Sequence, residues 1–288
     1  MRPLSACAGQ RAALPYHELT SVFHLIELAD EISCTPAAEF GLSCAGQGLD
    51  QLPLEDNLAW KAARAFAAAT GRPLPPLHIH IEKHIPTGAG LAGGSSDAAA
   101  VLLLLAEGCQ APVTALREIA PTLGADVAFF LADSPACLMG GIGDRLLAEL
   151  RPAAGVPVVI AWDPDAPVST PQVYQAFDQQ TAAMDLQREE ALVTALGATC
   201  ADIEQIAPHL YNNLSDAAFT VSPAARRVHE YLCAVPQARA VALSGSGGAS
   251  FALCASADDA TALAREVRAA GYAAQASALA GRTLAEQV

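Results

Sequence analysis

The chain has 288 residues, and its 16 lysine and arginine side chains against 30 aspartate and glutamate side chains give a net charge of −14 at pH 7. This length allows one or two domains with a large buried core. So acidic a chain is not expected to bind a nucleic-acid polymer, since phosphate backbones require basic patches. The longest apolar run, residues 98–106, is too short to span a bilayer, and the N-terminus lacks the pattern of a secretory signal, so we expect a cytoplasmic protein without membrane contacts.

Hydrophobic periodicity predicts strands and helices in the following chain order. Strands are predicted over residues 22–32, 77–81, 156–162 and near 273–279, and helices over 57–70, 96–107, 114–123 and 258–270. Residues 239–255 predict a strand, a Gly/Ser turn and a second strand. A break at residues 151–155, which contain proline and glycine, predicts a domain boundary. This order favours an α+β fold, with one domain over residues 1–151 and a second over residues 156–288.

Two sets of side chains bear on metal and disulfide chemistry. The eight cysteines form no C-x-x-C pair, and several lie in apolar segments, which favours reduced thiols over disulfides or a zinc site. His78, His80 and Glu82 alternate along one predicted strand, so their side chains share a face that could in principle bind a metal. A solvated strand face is the simpler interpretation.

The stretch from residue 85 to residue 100 is the most informative part of the chain. Its glycines let the backbone turn tightly and bring N–H groups close to a ligand, and an apolar helix follows directly. Ser95, Ser96 and Asp97 are predicted to cap that helix, whose positive dipole end would face an anion. This junction of a glycine-rich loop with a helix start predicts a binding site for a nucleotide triphosphate.

Three other interpretations of this loop fit less well. Gly88, Gly90 and Gly93 spell the G-x-G-x-x-G of dinucleotide folds. That motif needs a strand directly before its first glycine, whereas Pro86 and Thr87 intervene here. A Walker-type loop requires lysine after the glycines, where this loop has glycine and serine. A flexible linker would not continue into an apolar helix.

The pattern P-x-G-x-G-L-x-G-G-S-S-D-A-A, which starts at Pro86, closely resembles the second motif of the GHMP kinases, the superfamily of galactokinase, homoserine kinase, mevalonate kinase and phosphomevalonate kinase. Its G-G-S-S-D-A form is similar to one branch, the 4-diphosphocytidyl-2-C-methyl-D-erythritol kinases of the non-mevalonate isoprenoid pathway. Further segments resemble motifs of the same branch in the same order, namely residues 16–23, 55–58, 124–127, 141–144 and 243–248. The resemblance thus runs from Tyr16 to near the C-terminus.

The resemblance implies a two-domain α+β GHMP kinase fold with the active site in the interdomain cleft. It implies transfer of phosphate from ATP, with Mg²⁺, to the 2-hydroxyl of a small cytidyl substrate, by a monomer or homodimer. Asp126 is predicted to orient and deprotonate this hydroxyl, with a helix cap as its alternative role. Another small-molecule GHMP kinase, such as a homoserine or mevalonate-type kinase, is the alternative activity.

Individual roles follow from the positions that match the family's motifs. Tyr16 and His17 are predicted to bind the cytosine, and Tyr174 is predicted to supply a second stacking face. Ser96 is the candidate ligand of Mg²⁺, because its hydroxyl lies at the predicted helix start. The predicted nucleotide contacts are Asn57, Lys83, Pro86, Gly88, Ala89, Gly90, Leu91, Ala92, Gly93, Gly94, Ser95, Ser96, Ser244, Gly245 and Gly247.

The first residues depart from the family pattern. Members open with a strand of the form P-A-K-x-N-L, whose lysine and asparagine reach the phosphate and the reacting hydroxyl, whereas residues 1–10 of this chain contain neither. No lysine precedes Lys61. A misplaced start codon or reading frame is the favoured explanation, because the downstream motifs are intact. The alternative is a true loss, which would leave a catalytically impaired nucleotide-binding homologue.

Overall fold

The computed structural model of the protein describes residues 17–46, 53–180, 190–195 and 203–288. Its strands are β1 (Ser21–His24), β2 (Glu31–Pro36), β3 (Gly41–Gly46), β4 (Leu77–Lys83), β5 (Ala136–Gly140), β6 (Arg145–Glu149), β7 (Pro157–Trp162), β8 (Ala238–Leu243), β9 (Ala249–Cys254) and β10 (Ala273–Ala278). Its helices are α1 (Leu58–Thr70), α2 (Gly93–Cys109), α3 (Val113–Leu123), α4 (Val127–Phe130), α5 (Thr170–Phe177), α6 (Ile203–Ile206), α7 (Ser215–Val221), α8 (Pro223–Ala234) and α9 (Ala257–Ala269). Residues 190–195 are also helical.

Within these ranges the strands form three sheets. In the first sheet, of order β1-β5-β6, all neighbours are antiparallel. In the second, β4 lies in the centre and pairs antiparallel with β2 and parallel with β3. The third sheet is antiparallel, of order β10-β7-β9-β8. Helices and sheets therefore mix as the α+β prediction requires.

Helix α2 is apolar on nearly all sides, and a helix of this composition is stable only when it is buried. Val101, Leu102 and Leu105 are almost inaccessible to solvent. They share a core with Ile79 and Ile81 of β4, and α2 packs against α1, α3 and α4. Each such side chain stabilises the fold by about 1.5–3 kcal/mol. This core fixes the loop that joins β4 to α2.

The third sheet has cores on both of its faces. On one face, Val228 of α8 and Leu263 of α9 pack against Val159 of β7. On the other face, Ile160 of β7 shares a core with Ala89, which belongs to the loop between β4 and α2. The loop that precedes α2 is thus built into the core of the third sheet.

Most predicted elements are confirmed, but the continuous strand predicted over residues 22–32 is wrong. The structure has β1 and β2 there, in different sheets. Between them, the N–H of Glu27 donates to the carbonyl of Ala278 at 2.8 Å, and the N–H of Leu28 donates to Ser277 Oγ at 3.0 Å. The chain crosses to β10 at this point. A contact between residues so far apart in the sequence does not change the local alternation of apolar and polar residues, from which the strand was predicted.

The predicted boundary at residues 151–155 lies between β6 and β7, which belong to different sheets. The division into domains at this boundary stays a prediction, and contacts cross it, since the N–H of Glu27 donates to the carbonyl of Ala278 at 2.8 Å. Among the described residues, no helix combines the length and the apolar character needed to cross a membrane.

Candidate active site

The loop between β4 and α2 requires glycine at two positions. Gly88 and Gly90 have φ angles of 74° and 76°, in the left-handed region that glycine adopts without strain. A Cβ atom at Gly90 would lie 2.6 Å from the carbonyl oxygen of Gly247. The loop therefore approaches a second backbone segment more closely than a side chain would allow.

That second segment is the glycine-rich turn between β8 and β9. Ser244 Oγ donates to the carbonyl of Gly90 at 3.0 Å. The N–H of Ala249 donates to the carbonyl of Ala89, also at 3.0 Å. The two glycine-rich segments that the sequence assigns to nucleotide binding thus lie side by side, although residue 90 and residue 244 are far apart in the chain.

Helix α2 begins earlier than predicted. It starts at Gly93, and Ala92 before it has a φ angle of 53° and makes no side-chain capping bond. The predicted capping by Ser95, Ser96 and Asp97 is wrong, because these residues lie inside the helix. The N–H groups of both serines donate to the carbonyl of Ala92 at 3.0 Å. The N–H groups of Gly93 and Gly94, the first two residues of the helix, lack intrahelical acceptors, which favours binding of an anion.

The two serines of this helix start differ in exposure. Ser95 is buried, and a Cβ atom at Gly124 would lie 3.9 Å from its Oγ, so this side chain lies close to the turn that leads to Asp126. Ser96 is half-buried. A hydroxyl in this position fits Mg²⁺ carried by phosphate oxygens, since this ion keeps most of its waters and needs few protein ligands.

A buried ion triad lies under the loop. Lys83 Nζ donates to Asp97 Oδ2 at 2.7 Å and to Asp30 Oδ2, and the three side chains are only 3–7% exposed. Asp30 Oδ1 accepts further bonds from the N–H of His84 at 2.6 Å and of Ile85 at 2.8 Å. The carboxylate of Asp30 holds the backbone where the loop begins, and Lys83 joins it to α2. Both ends of the loop are therefore fixed by charge-assisted hydrogen bonds.

Burial and ion pairing shift the pKa values of the Lys83 and Asp97 side chains in opposite directions. Burial raises the pKa of the Asp97 carboxyl to about 7, although Lys83 acts in the other direction. Burial alone would lower the pKa of Lys83, but the Asp97 and Asp30 carboxylates outweigh it and the pKa is raised. The geometry gives the Lys83 ammonium a role in holding the loop, and its contact with nucleotide stays a prediction. Asp30 is a site residue that no sequence motif singles out.

Asp126 lies in the turn that precedes α4 and is half-buried. It makes no side-chain capping bond, so the alternative role as a helix cap is wrong. Burial raises the pKa of its carboxyl. The two lysines of the chain, Lys61 and Lys83, pair with other carboxylates. Among the described residues, no lysine therefore stabilises the ionised form of Asp126.

The structure brings His17 and Tyr174 into direct contact, and their contacts with cytosine stay predictions. Their rings are stacked, with centroids 4.8 Å apart and planes 18° apart. Phe177 meets the His17 ring edge-on at 6.0 Å, and His17 Nε2 donates to Asp178 Oδ1 at 2.5 Å. Phe177 and Asp178 are missed by the sequence prediction. Their spacing of three and four residues from Tyr174, which puts them on one helix face, is the signal that could have found them.

Tyr174 also lies within electrostatic reach of Asp126. Burial raises the pKa of its hydroxyl, and the negative charge of Asp126 raises it further. That the aromatic pair and Asp126 belong to one site stays a prediction. Tyr16, the other predicted cytosine contact, lies outside the described residues.

Asn57, a predicted nucleotide contact, has a structural role at the start of α1. Its Oδ1 accepts a bond from the N–H of Ala59 at 2.8 Å, and its Nδ2 donates to Cys44 Sγ at 3.2 Å. Asparagine is a preferred N-cap residue, directly before the first residue of a helix, for this reason. A contact between Asn57 and nucleotide stays a prediction.

Two further side chains hold the turn between β8 and β9. Asn212 Nδ2 donates to the carbonyls of Leu243, at 3.0 Å, and Gly245, at 2.7 Å. The hydroxyls of Thr170 and Ser246 are hydrogen-bonded at 2.6 Å. Both are missed by the sequence prediction, because their partners are distant in the chain and no local pattern marks them.

The polar face of β4 is a hydrogen-bonded surface. Ser43 Oγ lies 2.7 Å from His78 Nε2 and 2.9 Å from His80 Nδ1, so one hydroxyl bridges the two rings. Glu82 lies 3.7 Å from His80. In the part of the chain that the structure describes, no three His, Cys, Asp or Glu side chains are grouped to hold a metal ion. The six cysteines of that part are free thiols.

Comparisons with known proteins identify the family of the chain. The N terminal domain of the GHMP kinases matches residues 57–141, and their C terminal domain matches residues 191–273. The 4-diphosphocytidyl-2-C-methyl-D-erythritol kinase of Mycolicibacterium gilvum (strain PYR-GCK) is 38% identical over 274 residues, which cover 91% of this chain and 82% of that relative. The kinase of the same name from Mycobacterium tuberculosis (strain ATCC 25618 / H37Rv) is also 38% identical, with coverages of 93% and 84%.

Solved structures give the same result. A crystal structure of 4-(cytidine 5'-diphospho)-2C-methyl-D-erythritol kinase matches with a TM-score of 0.73 at 37% identity, covering 92% of this chain and 91% of that one. A homoserine kinase from Cytophaga hutchinsonii matches with a TM-score of 0.65 at 17% identity, with coverages of 96% and 98%. The second match shows a shared fold alone.

Proposed function

Because the chain belongs to the GHMP kinases, and within them to the 4-diphosphocytidyl-2-C-methyl-D-erythritol kinases, we propose that it transfers the γ-phosphoryl group of ATP to the 2-hydroxyl of 4-diphosphocytidyl-2-C-methyl-D-erythritol. The chain is a small-molecule kinase of isoprenoid precursor biosynthesis. The observation that carries the proposed reaction is the contact of Ser244 with Gly90, which joins the two glycine-rich segments beside the start of α2. We also propose that the protein acts in the cytoplasm, where ATP is supplied, as a monomer or homodimer.

The triphosphate would lie between the two glycine-rich segments. The first N–H groups of α2 and the positive end of its dipole attract an anion there. The carbonyls of Ala89 and Gly90 are bonded to the other segment and so are turned to protein rather than to phosphate. Mg²⁺ neutralises phosphate charge when bound with ATP, and Ser96 is the residue that would hold it.

Asp126 would orient the substrate hydroxyl and accept its proton. Its raised pKa makes the carboxylate a stronger base than an exposed aspartate, although less of it is ionised at low pH. The hydroxyl oxygen attacks the γ-phosphorus in line as its O–H bond breaks, and the bond to ADP breaks on the opposite side. The transferred proton resides on Asp126 until product leaves.

The cytidyl end of the substrate would bind at the aromatic group. His17 stacks on Tyr174, and Asp178 holds the His17 ring. Because Tyr174 is also within electrostatic reach of Asp126, the base and the reacting hydroxyl of one substrate would occupy a single cleft. Homoserine and mevalonate have no base for such an aromatic group, which favours the cytidyl substrate over the alternative activities.

ADP formation with and without the cytidyl compound tests the proposed reaction. We expect ADP that depends on this compound and no ADP with homoserine or mevalonate. Turnover of homoserine or mevalonate alone would support the alternative activity instead. ATP binding without turnover of any of the three would support the catalytically impaired homologue.

A second version of the chain, in which the family's P-A-K-x-N-L opening replaces the residues around Met1 and Pro3, sharpens this test. A lysine beside the γ-phosphate would stabilise the charge that develops there, so we expect turnover to rise on the order of 10²- to 10³-fold. Equal turnover of the two versions would contradict a role for that lysine in this chain.

A further inference from the structure

Asn212 is one of the side chains that hold the turn between β8 and β9 from outside every motif of the chain. Asn212 lies three residues before α7. Its Nδ2 donates to the carbonyls of Leu243 and Gly245, at 3.0 and 2.7 Å, and its Oδ1 accepts a bond from the N–H of Leu214 at 2.9 Å. One amide therefore satisfies two acceptors and one donor. A carboxylate of the same shape cannot replace it, because a carboxylate has no hydrogen to donate.

The bond to Gly245 fixes the direction of one peptide unit. In a trans peptide the C=O and the following N–H point in opposite directions, so the N–H of Ser246 points away from Asn212. Gly245 and Ser246 are the central residues of a turn closed by a bond of 2.9 Å from the N–H of Gly247 to the carbonyl of Ser244. Neither central N–H has an acceptor within the described ranges, and Gly245 is exposed.

We propose that Asn212 is a positioning residue of the phosphate site, which turns the N–H of Ser246 toward the bound nucleotide. This inference rests on the proposed function, which puts a triphosphate between the two glycine-rich segments. The contact of Ser244 with Gly90 holds this turn against the loop before α2. The N–H of Ser246 and the first N–H groups of α2 then donate hydrogen bonds to the same anion from two sides.

The test compares Asn212→Asp with Asn213→Asp. The two substitutions change the same atoms at adjacent positions, but Asn213 is exposed. In Asn212→Asp, the new carboxylate would keep an acceptor for the N–H of Leu214 while facing two carbonyls that it cannot bond. We expect Asn212→Asp to weaken ATP binding, measured by calorimetry, roughly 10-fold or more, and Asn213→Asp to leave it unchanged. Binding of adenosine, which has no phosphate, should be unaffected in both variants.

Each outcome decides the inference. Equal ATP affinity of Asn212→Asp and the unaltered chain would overturn it, and so would a parallel loss of adenosine affinity, because that loss indicates a general structural role. If Asn212→Asp does not fold, as judged by its melting transition, Asn212→Ala removes both N–H donors, adds neither a donor nor a charge, and must show the same selective loss. Failure of the unaltered chain to bind ATP would overturn the proposed function itself, which is a different result.

Discussion

The base of the phosphate loop and the turn that carries Asp126 differ in how they use charge. Under the loop, Lys83 is buried with Asp30 and Asp97, and this cation fixes the backbone at both ends of the loop. At Asp126, burial raises the pKa of the carboxyl, and the two lysines of the chain lie elsewhere. Lys83 therefore holds the loop in position, whereas burial is what makes the Asp126 carboxylate more basic.

Removal of the Asp126 carboxylate tests its role as the base, and we expect it to lower activity more than any other change considered. Asp126→Asn should lower turnover by about 10²- to 10⁴-fold, because the amide cannot accept the hydroxyl proton. ATP binding should be unchanged, since the phosphates bind the glycine-rich segments. Steady-state kinetics and calorimetry check the two statements. Asp133→Asn, at an exposed carboxylate paired with Arg117, is the matched control.

The pH dependence of the same reaction follows from the sign of the pKa shift. Asp126 acts as a base only when ionised, and its pKa lies above the ordinary value of 3.8. As the pH falls, kcat/KM should therefore begin to decrease at a higher pH than an exposed aspartate would give. This decrease is the acid limb of the pH profile, and the residual activity of Asp126→Asn should lack it. Unchanged turnover or an unchanged acid limb in Asp126→Asn would contradict its role as the base.

Removal of the Lys83 ammonium tests whether this cation holds the loop in position. Lys83→Met leaves two carboxylates buried without their partner, so we expect the free energy of unfolding to fall by about 3–5 kcal/mol. The other lysine provides the control, because Lys61 pairs with Asp56 at 3.5 Å on the surface. Lys61→Met should cost at most about 1 kcal/mol. Urea unfolding of both variants measures the difference, and equal stabilities would show that the triad does not hold the fold.

Relaxing the backbone before α2 has the smallest expected effect. Ala92 has a φ angle of 53°, a conformation that costs a residue with a Cβ atom about 1–2 kcal/mol. Ala92→Gly removes this strain and adds unfolded-chain entropy, so we expect a net stabilisation of up to about 1 kcal/mol. Ala68→Gly, at an exposed position within α1, should instead destabilise by about 1 kcal/mol. Thermal melts of the two variants should shift in opposite directions.

Local signals were sufficient for much of this fold. The helix predicted over residues 57–70 corresponds to α1, because its apolar spacing and Asn57 at its start are both local features. The prediction failed where distant contacts decide. Glu27 and Leu28 bond to β10, which splits the strand predicted over residues 22–32. At α2, the loop geometry around Ala92 starts the helix before the serines that were expected to cap it.

The family of this protein could be recognised from its sequence alone, because each motif that carries the resemblance is a short run of neighbouring residues. The sequence could not show which charges the fold would pair. The ion pairs of Lys83 with Asp30 and Asp97, and the bond by which Asn212 holds the turn at Gly245, became visible in the folded structure. The physical reason is that burial and hydrogen bonding depend on distances between atoms, and residues far apart in the chain acquire those distances only when it folds.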